Sequence, residues 1–134
     1  MDSRGHKATL NLQLPQNLTE LERQVLDLLI SRQGEIYSCL RKQLSVATAG
    51  DRELTGAGFY REFTYARGRY TCLSHDCELT HVFGHHPALP YGAGFALFVR
   101  LGVASWLEGY TMGDYTWPED ESKFTLTLTD QPST

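Results

Sequence analysis

The densest run of chemistry-capable side chains lies between Cys72 and His86, where Cys72, His75, Asp76, Cys77, His81, His85 and His86 follow one another closely. Four of the five histidines fall there, and thiolates with imidazoles form the ligand set that zinc prefers. The spacing is less persuasive than the density, because four residues separate Cys72 from Cys77 and the paired two-residue knuckles of structural zinc sites are absent. Cys72, His75, Cys77, His81 and His85 are the metal candidates. The competing assignment, which the spacing favours, is a partly buried Cys and His followed by a solvated His85-His86 loop before Pro87, with no metal and no cofactor. A nucleophilic thiolate–imidazole pair built on Cys72 or Cys77 would need partners from distant segments. The chain has no Gly-x-Ser-x-Gly elbow and no phosphate-cradling glycine loop. Glu119 and Glu121 lie in a Pro-flanked acidic turn, whose hydration leaves little means of tuning either as a catalytic acid.

A second concentration of useful side chains runs from Trp106 to Asp120. Trp106, Glu108, Tyr110, Asp114, Tyr115, Trp117, Glu119 and Asp120 combine stiff aromatic area with negative charge, which is how protein-binding surfaces are commonly built. Charge along the chain agrees: residues 1–70 hold ten Lys/Arg and eight Asp/Glu, whereas residues 71–134 hold two basic and eight acidic residues. Such a surface repels phosphate backbones and attracts a basic protein, so a protein partner is expected and nucleic acid is not. If Trp106, Glu108 and Tyr110 alternate along a strand, the aromatics could equally cover the second face of a sheet.

The elements that must position these residues follow from periodicity. Ala8, Leu10, Leu12 and Leu14 alternate with polar residues up to Pro15, as in a half-buried strand; residues 1–14 are either that added strand or a flexible arm. Thr19 and Glu22 form a capping-box pattern, and Leu18, Leu21, Val25, Leu28 and Leu29 recur at helical spacing. Gly34 reads as the C-terminal stop of that helix, and Ile36, Tyr37, Leu40 and Leu44 as a second, shorter one. Strands are expected near Val46–Glu53, Phe59–Tyr65, Cys77–Phe83, Gly94–Val99, Val103–Thr111 and Lys123–Thr129, with Cys77, Leu79, His81 and Phe83 sharing a face. Arg100, Leu101 and Gly102 would close a hairpin. The tetrapeptide Gly-Ala-Gly-Phe occurs twice, at Gly56 to Phe59 and Gly92 to Phe95, and marks two strands entering one sheet through bulges or tight bends. The expected fold is α+β: one domain over 1–134, an antiparallel sheet of five to seven strands, and two N-terminal helices packed on one face.

With 134 residues, 41% hydrophobic and 21% charged, the chain is globular in composition, and no stretch approaches the roughly 18 apolar residues of a membrane span. Three cysteines without an apolar leader suit free thiols in a reducing cytoplasm. Arg52, Thr55, Gly56, Gly58 and Phe59, then Gly92-Ala93-Gly94-Phe95 with Leu97-Phe98-Val99, then Leu107-Glu108-Gly109-Tyr110-Thr111 with Trp117-Pro118, resemble the recurring pattern of a family of small, largely uncharacterised bacterial proteins. Proteins of this kind are similar in size, charge and lack of motifs to immunity proteins that neutralise toxins in bacterial competition, including contact-dependent inhibition. The resemblance implies a non-catalytic immunity or inhibitor domain that occludes a toxin surface, and it carries no catalytic or metal residues. The rival readings are a zinc-binding protein or metal-dependent hydrolase built on the Cys72–His86 stretch, and a small-ligand-binding regulatory domain.

Overall fold

A computed structural model describes residues 14–66, 71–72 and 75–129. Helix α1 (Glu20–Ile30) begins with a complete capping box: the Thr19 hydroxyl accepts the Glu22 N–H at 3.1 Å and the Glu22 carboxylate accepts the Thr19 N–H at 2.9 Å. Leu21, Val25, Leu26, Leu29 and Ile30 form its buried stripe. The helix stops at Ile30, short of Gly34, and Gly34 (φ 125°) instead opens α2 (Glu35–Ser45). The early stop is capped from α2, where Arg41 donates to the carbonyls of Ile30 (2.6 Å) and Arg32 (3.0 Å).

Among the described residues eight strands follow: β1 (Ala47–Ala49), β2 (Glu53–Leu54), β3 (Gly58–Tyr65), β4 (Cys77–Leu79), β5 (Val82–His86), β6 (Leu89–Arg100), β7 (Val103–Thr111) and β8 (Thr125–Leu128). They form one antiparallel sheet in the order β1-β3-β7-β6-β5-β8, with β2 added to β3 beside β1 and β4 added to β6 beside β5. The α+β architecture is the expected one. The strand count exceeds the expected five to seven because two anticipated strands are each split. Val46–Glu53 divides into β1 and β2, around a Gly50 N–H bonded to the Glu62 carbonyl at 2.8 Å. Cys77–Phe83 divides at Thr80-His81, so Cys77 and Leu79 pack toward the helices while Phe83, opposite Gly94, turns to the other face. The expected shared face therefore fails at Phe83. The β6–β7 hairpin closes through Leu101 (φ 55°) and Gly102 (φ 77°), a pair of left-handed residues suited to a two-residue turn. The anticipated N-terminal strand lies outside the described residues except for Leu14, which packs on the core.

Phe59, Phe63, Phe95, Leu97, Val99, Ala104 and Leu107 face the helices and complete the core. Within it lies an ionic network that periodicity does not reveal. The Glu22 carboxylate, fully buried, accepts from Arg52 Nε at 2.6 Å and Arg61 Nε at 3.1 Å; Arg52 continues to Glu121 at 2.6 Å, and Glu121 accepts from Trp117 Nε1 at 2.7 Å. Arg61 also donates to the carbonyls of Asn17 and Gly50.

The expectation of three free thiols is corrected. Cys39 and Cys72 form a disulfide with Cα atoms 5.6 Å apart, and Cys77 alone is free. Both cysteines are brought to one carbonyl: Cys72 N–H donates to Gly102 O at 2.7 Å, and Gln43, one turn along α2 from Cys39, donates to the same oxygen at 2.9 Å.

Candidate functional site

Strand β7 is the axis of the site, because its alternation sends Leu107 and Gly109 inward and Trp106, Glu108 and Tyr110 outward. The doubled Gly-Ala-Gly-Phe brackets this strand. In register, Phe59 and Phe95 flank Gly109 on the inner face, and Gly58 and Gly94 flank Tyr110 on the outer one. A Cβ on Gly109 would lie 2.3 Å from the Phe59 ring, and one on Gly94 would lie 2.6 Å from Tyr110, so glycine at both places is a packing requirement. The first glycine of each copy has positive φ, 86° at Gly56 and 77° at Gly92. The carbonyls of these two glycines receive the N–H groups of Trp117 (2.8 Å) and Met112 (2.9 Å).

On the outer face two rows of side chains cross the strands. One runs Glu53, Tyr60, Glu108, Ala96 and the next Glu62, Trp106, Phe98, Glu78. Trp106 stacks on Phe98 with centroids 4.8 Å apart and meets Tyr60 at 6.0 Å. Its Nε1 donates to Glu108 at 3.0 Å. Arg100 lies over Phe98 and Trp106, 5.0 and 5.2 Å from the ring centres, and reaches Glu78 at 3.5 Å and Asp76 at 4.0 Å. Among the described residues no cation pairs with Glu53, Glu62 or Glu108. Partial burial first, then the charges of Glu62, Glu53 and Glu108, push the Tyr60 hydroxyl above its ordinary pKa; burial, Glu108 and Glu78 do the same at Tyr110. A groove of about 310 Å³ opens between these tyrosines, with Glu53, Thr55 and Glu108 along it. Both helices lie on the other side, and no described element covers this face.

The structure thus brings Trp106, Glu108 and Tyr110 together and separates the remaining expected binding residues from them. Asp114 and Glu119 are exposed, and Tyr115 packs on Tyr91 at 6.0 Å. Trp117 turns inward onto Phe59 (5.4 Å) and Phe124 (5.1 Å). Asp120 caps the short 3-10 turn at Glu121–Lys123, and hydrogen bonds from Ser122 hold its carboxyl below the usual range. Tyr60, Glu53, Glu62, Phe98 and Arg100 were not legible as site residues, since only the pairing of β3 and β6 with β7 assembles them.

The five metal candidates are dispersed. Cys72 is in the disulfide, His75 is exposed, and burial pushes the half-buried Cys77 thiol up. His81 is buried beneath α1 with Nε2 unpartnered; burial first, then Arg32, lowers its pKa. His85 and His86 end strand β5 and do not form the expected solvated loop. His85 meets Phe83 outside, whereas His86 is buried, accepting from the Ala88 N–H at 3.0 Å while its Nε2 meets the Asp120 carbonyl at 2.8 Å, which assigns the Nε2–H tautomer. Among the described residues no group of three or more His, Cys, Asp or Glu side chains is placed to hold a metal ion. No helix among them is long and apolar enough to cross a membrane. Comparison with protein-family models, with curated proteins and with solved structures finds no match.

Proposed function

We propose that the protein is a non-catalytic protein-binding domain whose open sheet face docks a basic surface of a partner, and that its specific role is that of an immunity or inhibitor protein covering a toxin's functional surface. The observation that carries the reading is the Tyr60–Trp106–Phe98 stack, set among Glu53, Glu62, Glu108 and Glu78, with Arg100 the one cation on it among the described residues. Cross-strand carboxylates on one row repel each other, and a cationic partner relieves that repulsion while the aromatics supply buried area. Asp114, Glu119 and Asp120 add to the negative field that steers such a partner.

Action in the cytoplasm belongs to this proposal. A cytoplasmic thiol pool favours reduced Cys39 and Cys72, so the face must keep its geometry without the bond. The bond meets the sheet at Gly102, four positions before Trp106 and eight before Tyr110, and Gln43 holds the same carbonyl independently of the bond.

The test is binding of the purified polypeptide encoded beside this gene. Association should slow at least about tenfold, and its salt dependence should flatten, in a Glu53→Lys, Glu62→Lys, Glu108→Lys variant. Trp106→Ala should weaken binding by about 2 kcal/mol. Unaltered association rates in the triple variant would refute the docking face. Concentration-dependent dimerisation lost in the same variant would make a second copy the occupant and overturn the partner reading.

A further inference from the structure

Twice among the described residues an arginine lies over an aromatic ring and is held there by two carboxylates. Arg52 lies 4.4 Å from the centre of Phe59 and pairs with Glu22 and Glu121; Arg100 lies over Phe98 and Trp106 and pairs with Glu78 and Asp76. The same set of parts occurs a third time in the groove between β2, β3 and β7, where Tyr60 and Tyr110 stand with Glu53 and Glu108. Here no arginine of the described chain is present. Resting on the docking face proposed above, we infer that this groove is the receptor for one arginine side chain of the partner, stacked on tyrosine and bound by the two carboxylates.

Several observations favour a guanidinium. On the outer face of β3 the position opposite Tyr110 is Gly58, so no side chain stands between Tyr110 and Tyr60 along that strand. The groove is therefore a slot that suits a flat group. Glu53, Tyr60 and Glu108 are direct cross-strand neighbours, so the two acids stand on either side of the Tyr60 ring. A guanidinium has a face for the ring and a fork of donors for the acids, whereas an ammonium is a compact and strongly hydrated point charge. Stacking of this kind gains strength once a partner covers the groove and excludes water.

The experiment titrates the full chain with capped Gly-Arg-Gly, Gly-Lys-Gly and Gly-citrulline-Gly peptides and follows the ring resonances of Tyr60 and Tyr110. The arginine peptide should move both rings saturably and the lysine peptide should bind more weakly. The citrulline peptide, of the same shape without charge, should move neither. Glu53→Gln with Glu108→Gln should weaken the arginine peptide at least about tenfold, with an unchanged circular dichroism spectrum showing that the fold is intact. Equal response to arginine and citrulline, or indifference to the double substitution, overturns the inference. Docking of a basic protein on the face with Tyr60 and Tyr110 unmoved by the peptide sinks the groove and leaves the docking face standing. Peptide binding with no protein docking does the reverse.

Discussion

Breaking the Cys39–Cys72 bond should cost stability through the unfolded chain and leave the folded one in place. The bond joins residues 33 apart and encloses the later part of α2 and the first three strands. Loop-closure entropy for that span is about 12.5 cal/mol/K, or about 3.7 kcal/mol at 25 °C. For a chain of this length the corresponding fall in Tm is roughly 10–18 °C. The folded state should hold without the bond, because Gln43 still donates to Gly102 O and accepts the Ala104 N–H at 2.8 Å, both in buried positions. Urea unfolding followed by tryptophan fluorescence, with and without reductant, measures the loss. The Cys39→Ser, Cys72→Ser variant should match the reduced wild type and show no response to reductant. Identical midpoints for oxidised and reduced wild type would refute the reasoning, as would non-reducing peptide maps that place Cys77 in the bridge.

Gly109→Ala should lose about 3 kcal/mol by thermal or urea unfolding, since its Cβ would enter the Phe59 ring, itself locked against Phe95 and Trp117; Gly94→Ala should lose less, because Tyr110 is half-exposed and can yield. Glu22→Gln should lose about 3–5 kcal/mol by leaving Arg52 and Arg61 without their shared counter-charge, whereas the exposed Glu20→Gln on the same turn should change stability by less than about 0.5 kcal/mol. Because His81 is held neutral in the folded state, its contribution is complete above its ordinary pKa of 6.5 and is lost as pH falls below that value. Stability between pH 7.5 and 5 should therefore decline more steeply in the wild type than in His81→Leu, and parallel curves would contradict the assignment.

How far the fold could be read from residues depended on how local each element is. The α1 start is a self-contained exchange between Thr19 and Glu22, and β7 has a clean alternation, so both fall where the pattern puts them. The strand splits at Gly50–Asp51 and Thr80–His81 depend on where along the edge of β3 or β6 each segment meets it, a long-range property with no local mark. The disulfide is of the same kind: its cysteines are 33 residues apart and are aligned by the Gly102 carbonyl, while an odd number of cysteines points to free thiols. Arg41 capping the end of α1 shows why Gly34 misled, since a side chain from the next helix did what a glycine usually does.

The two tryptophans show the limit most clearly for the site. Trp106 and Trp117 belong to one acidic aromatic segment of sequence, yet they end on opposite faces of the sheet. The chain leaves β7 at Thr111, turns through Gly113 (φ 81°), and is pulled to the inner side when Trp117 N–H meets the Gly56 carbonyl. The outer surface is therefore made from rows across β2, β3, β7 and β6, and the loop after β7 contributes charge to it without contact. That division has a kinetic consequence. Charges outside an interface act on encounter, and buried aromatics act on residence. Asp114→Asn should lower kon for the basic partner and leave koff unchanged, whereas Trp106→Ala should raise koff with little effect on kon. A koff that rises equally in both variants would put the loop inside the contact and the proposed footprint in the wrong place.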